Sequence, residues 1–219
     1  STVVEEHEVN DSYLMSAIKA LEAGRADVPA MVEAAEVAAD RLSSGGKLWA
    51  SGAQALVGEV MGRAGGFMAL WPVKPKTVSP GDVVLHFDPT GYRSRVEWNG
   101  GECLTISFGG PSGMPGPRFG HHAEVTGVSP GLAMVISGFL FTGELIAALT
   151  RRGRMPAIYL SSGMYDGFGR IDRFKRGEVA FHDNPQVVPV AAGVVADRYL
   201  SAVTRMLGRV EEKHRGDLE

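Results

Sequence analysis

Moving a proton takes a carboxylate or an imidazole held against the reacting group. Glu59 lies roughly one and a half turns into a helix that opens on a glycine turn. It is either a base beside that turn or a solvated, salt-bridged acid. Glu144 follows Ser137-Gly138 at the start of an otherwise apolar helix. A buried carboxylate there needs a partner or a raised pKa; the alternative is a first-turn acid that complements the helix dipole. His182-Asp183 closes a glycine-rich segment, a setting for a lid or a histidine lent to a partner subunit. His86 sits within a strand and reads as a satisfied interior residue. His121-His122 lack the carboxylate or cysteine spacing of a metal site, so neither metal nor cofactor is expected. Arg170, Arg173, Lys175 and Arg176 form a solvated face or a cover for a phosphate.

Ligand-holding residues gather at turns. Leu48 to Ser51 is a short apolar strand, Ser51-Gly52-Ala53 a tight turn, and Gln54 to Arg63 a helix with Leu56, Val57, Val60 and Met61 on one side. Free N–H groups and the dipole at such a helix start suit a phosphate or another anion, although most such turns only pack. Further turns follow Phe87, Phe108, Ile136 and Leu160. They carry Thr90, Gly91, Arg93 and Ser94, then Ser107, then Ser137, Gly138 and Thr142, then Ser161 and Ser162. Each hydroxyl alone is a helix cap; together they form a polar rim. No complete dinucleotide fingerprint, P-loop or nucleophile elbow is present.

The elements that must position these residues are read from periodicity. Residues 1–11 form a polar tail. A helix capped by Ser12 ends or bends at Gly24, and a second runs from about Asp27, with Pro29 in its first turn, to Leu42. Apolar runs Phe67–Trp71, Val83–Phe87, Cys103–Phe108, Leu132–Ile136 and Pro156–Leu160 read as strands. Residues 109–117 form a proline-glycine loop. A helix follows Ser137 through Leu149, and residues 187–192 are extended. Asp197–Val210 is a closing helix, with a frayed tail beyond; residues 166–184 resist assignment. Strand–turn–helix alternation with continuous apolar strands gives an α/β fold, a parallel sheet covered on both faces, with ligands at the carboxyl ends of its strands. Residues 1–43 read as helices packed on the domain or on a second subunit, and 44–219 as one domain.

Composition narrows the classes further. The 219 residues are 44% hydrophobic and 21% charged, as in a soluble globular protein, with a net charge of -3 that provides no basic field for nucleic acid. The run Leu132–Leu140 is too short to span a bilayer. Cys103 is the one cysteine, so no internal disulfide forms, and its apolar run suggests a buried, inert thiol. No targeting segment is visible, so a cytoplasmic location is expected, while the start at Ser1 leaves room for a trimmed leader.

Three stretches resemble the SIS (sugar isomerase) domain family. Ser44-Gly45-Gly46-Lys47-Leu48-Trp49-Ala50-Ser51-Gly52 is similar to the family's glycine-rich entry into its first strand. Ser79-Pro80-Gly81-Asp82-Val83-Val84-Leu85 is similar to its GDVVL strand, and Gly101 to Ser107 to its following strand. The likeness spans roughly residues 30–150. It departs where the family's first turn offers a serine and this chain has Ala53-Gln54-Ala55. It departs again where a Ser-x-Ser-Gly-x-Thr turn is replaced by Asp88 to Ser94, with Arg93 able to pair with an anion directly. The resemblance implies a three-layer, doubly wound, SIS/flavodoxin-like sandwich with a mainly parallel five-stranded sheet, and a homodimer or homotetramer. It implies a sugar phosphate held by Ser51, Gly52, Gln54, Thr90, Gly91, Arg93, Ser94, Ser107, Ser137 and Gly138, with Glu59, Glu144 or His182 moving the proton of an aldose–ketose isomerisation. A non-catalytic sugar-phosphate sensor or a scaffold with a degenerate site is the other reading.

Overall fold

The computed structural model describes residues 2–62, 66–74, 77–89, 103–109, 116–120, 130–159, 167–178 and 188–216. Five strands form one sheet in the order β2-β1-β3-β4-β5, every pair parallel. They are β1 (Leu48–Gly52), β2 (Leu70–Pro72), β3 (Val83–Asp88), β4 (Leu104–Gly109) and β5 (Arg118–Phe119). The helices are α1 (Thr2–Ser43), α2 (Gln54–Gly62), α3 (Pro130–Arg151), α4 (Gly167–Lys175) and α5 (Val194–Gly216). This is an α/β fold in keeping with a doubly wound sandwich. The strand order reverses direction between β1 and β3, the switch point at which such sheets open a crevice.

The two faces of the sheet differ. Leu48, Ala50, Val83, Leu85, Phe87, Ile106 and Phe108 meet α1, α2, α3 and α5 in one continuous core. The alternate residues, Trp49 and Val84, pack instead with Val73 and Val78 of the β2–β3 crossover, and with Cys103, which is half-buried rather than buried. At the β2 edge Phe174 of α4 stacks on Trp71, ring centroids 6.5 Å apart. Asp82 holds the amino ends of β1 and β3 together: its carboxylate accepts from the Lys47 and Ser79 N–H groups and from Trp49 Nε1–H, at 2.8, 2.9 and 2.8 Å.

Several elements depart from the sequence reading. The expected pair of opening helices is one helix, which also takes in the expected tail from Thr2. Gly24 does not end it; a Cβ there would lie 3.1 Å from Leu140 Cδ1, so this glycine lets α1 and α3 approach. Ala34, Ala35, Ala38 and Ala39 extend the small-residue contact. Burial along that face offsets the cost of an interior glycine and proline, about 1 and 3 kcal/mol. Charges fasten the same pair of helices. Arg151 and Arg152 both bond Glu36, and Arg152 also reaches Asp40 at 2.7 Å. Burial alone would raise the Glu36 pKa; the two guanidiniums outweigh it and hold it below the usual range.

Leu132–Ile136 is not a strand but the first part of α3, and Ser137-Gly138 continues that helix instead of turning. A five-residue window of β-capable side chains cannot be told from a buried helix by periodicity. Over its full length α3 is long and apolar enough to cross a membrane, but most of that stretch is buried in this fold, where α3 is the central core helix. The described part of Pro156–Leu160, residues 156–159, forms no strand; it carries isolated bridges at Pro156 and Ile158, the latter antiparallel to Phe67. The fifth strand is the two-residue β5, at the end of the proline-glycine segment. The unassigned 166–184 stretch contains α4, and α5 begins earlier and ends later than expected, through Gly216.

Candidate functional site

The carboxyl edge of the sheet is built around Gly52. Its φ is 107°, and a Cβ there would stand 2.0 Å from the Phe87 carbonyl oxygen, so only glycine lets β1 end this close to β3. The next N–H, of Ala53, donates to that carbonyl at 2.8 Å, and the Ala53 carbonyl accepts the first bonds of α2, from Leu56 and Val57. The N–H groups of exposed Gln54 and of Ala55 have no acceptor within the helix.

Register then sets a polar row across the sheet. Ser51 pairs with His86, His86 with Ser107, and Ser107 with Arg118. In-register residues of parallel strands share a face, so these four side chains stand side by side on the face opposite the main core. Ser51, His86 and Ser107 are buried, and Arg118, at the β5 end, is exposed. Ser51 Oγ and His86 Nδ1 share a hydrogen bond of 2.8 Å, which a hydroxyl satisfies with either tautomer of the ring. Burial pushes the His86 imidazole below its ordinary pKa, with the Asp88 charge pulling the other way. A neutral ring follows at pH 7. Asp88, two residues on, is also buried on this face.

The other candidates fall in different places. Gly138 lies on the opposite, core side, where a Cβ would stand 3.0 Å from the Phe87 ring; Ser137, beside it on α3, is buried against Gly120. Glu59 is half-exposed on α2, about 7.5 Å of helix rise from Gln54. Glu144 is wholly buried, some 10 Å of rise along α3 from Ser137. Its carboxylate accepts from the N–H groups of Gly193 and Ala196, at 2.9 and 2.8 Å, and so caps the start of α5. Thr90, Gly91, Arg93, Ser94 and His182 lie outside the described residues, as do His121, His122, Ser161 and Ser162. Arg176 is exposed and bonds Glu178 at 2.6 Å.

Among the predicted residues, then, Ser51 and Ser107 come together, with Gly52 and Gln54 beside them. The sequence reading missed two members of the row. His86 was recognisable as a strand residue but not as a neighbour of Ser51. Arg118 had one signal, a lone cation inside a glycine- and proline-rich segment. The row supplies hydroxyl, imidazole and guanidinium groups beside a helix N-terminus, a set suited to hydroxyls and an anion. Compared with known proteins, the sequence matches no family model and no curated protein.

Proposed function

We propose that this chain binds a sugar phosphate at the carboxyl edge of β1, β3 and β4, as a divergent relative of SIS domains. The observation that carries the reading is the Ser51–His86–Ser107–Arg118 row at the strand-order switch point. In this reading the first turn of α2 takes the phosphate, Ser51 and Ser107 meet sugar hydroxyls, and Arg118, three strands from β1, meets the far end of the sugar. The neutral His86 ring fixes the Ser51 hydroxyl. The enzymatic form of the proposal is aldose–ketose isomerisation, which rests on the SIS likeness and not on Glu59, whose place down α2 lies away from the row. A second reading, binding without conversion, is favoured by the commitment of the Glu144 carboxylate to two backbone N–H groups.

Calorimetric titration with aldose and ketose phosphates tests the binding. A ligand at ~100 times its Kd adds about 2.7 kcal/mol of stability. Arg118→Glu and Gln54→Glu, both at exposed positions, leave the fold intact and weaken sugar-phosphate binding about ten-fold or more. Binding unchanged in both variants refutes the site. Solvent deuterium appearing on the sugar carbon next to the carbonyl, seen by NMR, separates turnover from simple binding.

A further inference from the structure

A second ligand site lies on the face of β1 and β2 away from the main core. Trp49 and Trp71 are register partners on adjacent parallel strands, so their indoles are neighbours on one face. With Pro72, Lys47, Lys74 and Thr77 they line a groove of about 520 Å³. That falls within the range of small-molecule sites. The groove is preorganised. Trp49 is nearly buried, and its Nε1–H donates to Asp82 at 2.8 Å, so it forms a fixed floor. Trp71 is half-exposed and is backed by the Phe174 ring. The Lys47 backbone is tied to Asp82, and the Thr77 hydroxyl bonds the Lys74 carbonyl at 2.7 Å, so the bases of both lysines are held in place.

Charge and shape together select the occupant. The described lining offers two ammonium groups and no carboxylate, although the whole chain carries a net charge of -3. An exposed indole face stacks well on a planar ring and tolerates any base. We infer that this groove binds a mononucleotide, its base stacked on Trp71 and its phosphate between Lys47 and Lys74. It is separate from the carboxyl-edge row: none of its residues belongs to the row, and it does not depend on the sugar-phosphate reading.

Titration of the full chain with adenosine 5′-monophosphate, followed by tryptophan fluorescence and calorimetry, tests it. Saturable quenching is expected, weakening as salt rises because the phosphate contact is screened. Trp71→Ala and the double variant Lys47→Glu/Lys74→Glu each lower affinity about ten-fold or more, while Gln54→Glu leaves it unchanged. Ribose 5-phosphate, which lacks the base, neither quenches nor competes. The proposal is overturned by absence of saturable binding, by unchanged affinity in both groove variants, or by full competition from ribose 5-phosphate. The last outcome assigns the nucleotide to the carboxyl-edge site instead.

Discussion

Removing the Glu144 carboxylate separates a structural carboxylate from a catalytic one. The side chain is wholly buried and takes two backbone N–H groups at the start of α5, beside the tight crossing where Gly143 faces Val195. Charge-assisted bonds of this kind each contribute about 1.5–3 kcal/mol. Glu144→Ala leaves both donors without their acceptor. Water reaches the Gly193 side more readily than Ala196, whose bond is buried. The net loss is therefore about 3–5 kcal/mol. Glu144→Gln keeps one carbonyl acceptor but turns an amide NH2 toward the other N–H, for about 2 kcal/mol. For a chain of 219 residues, the alanine variant should melt roughly 10 °C lower. Guanidinium unfolding gives the free energies, and amide hydrogen exchange shows protection falling first at Gly193 to Ala196. Losses within about 0.5 kcal/mol of zero for both variants refute the capping argument. A glutamine variant as stable as the parent but unable to turn over a sugar phosphate would return Glu144 to catalysis.

Other perturbations test the carboxyl edge. Gly52→Ala places a methyl against the Phe87 carbonyl oxygen at a φ of 107°, so it should cost about 3 kcal/mol or more by denaturant titration. Gly58→Ala is its control: it is exposed within α2 with nothing near a new Cβ, and should stabilise by about 0.5–1 kcal/mol. His86 predicts a pH dependence. Its folded pKa is depressed, so between that value and the ordinary 6.5 the unfolded chain binds the extra proton. Its contribution is complete above about pH 6.5 and is lost as the pH falls toward the folded value. Unfolding free energies from pH 7.5 to 5.5 should fall for the parent and fall less for His86→Asn; parallel profiles refute the assignment.

What the sequence reveals of this fold is what local chemistry determines. The β1–Gly52–α2 unit is legible because an apolar run, a glycine and a helical period follow one another in a dozen or so residues. β3 and β4 are legible because each is a short apolar run bounded by turn residues, Pro80-Gly81 before β3 and Gly109-Gly110-Pro111 after β4. Gly24 and Ser137-Gly138 mislead because each glycine serves a neighbour distant in sequence, Leu140 in one case and Phe87 in the other. Glu144 illustrates the same limit: its partners are 49 and 52 residues away. β5 escapes detection because two residues carry no period at all. The row at the candidate site depends on register, and no local pattern brings Ser51 beside His86, 35 residues on.

The polarity of that row is hard to explain by folding alone. A parallel sheet buried on both faces ordinarily has near-continuous apolar strands. On the face opposite the main core, β1 and β3 instead change character along their length. β1 runs from Trp49 to Ser51 and β3 from Val84 through His86 to Asp88, while β4 carries hydroxyls at both levels, Thr105 and Ser107. The apolar end packs under the β2–β3 crossover, and the polar end lies at the carboxyl edge. A buried polar group needs a partner, as Ser51 and His86 supply for each other at 2.8 Å, whereas valines at such positions would need none. A sequence under pressure only to fold would keep the valines. That β1 and β3 change at the same level, where Gly52 opens the turn, Ser107 adds a hydroxyl and Arg118 stands at the end of the row, argues that the edge is shaped by a ligand.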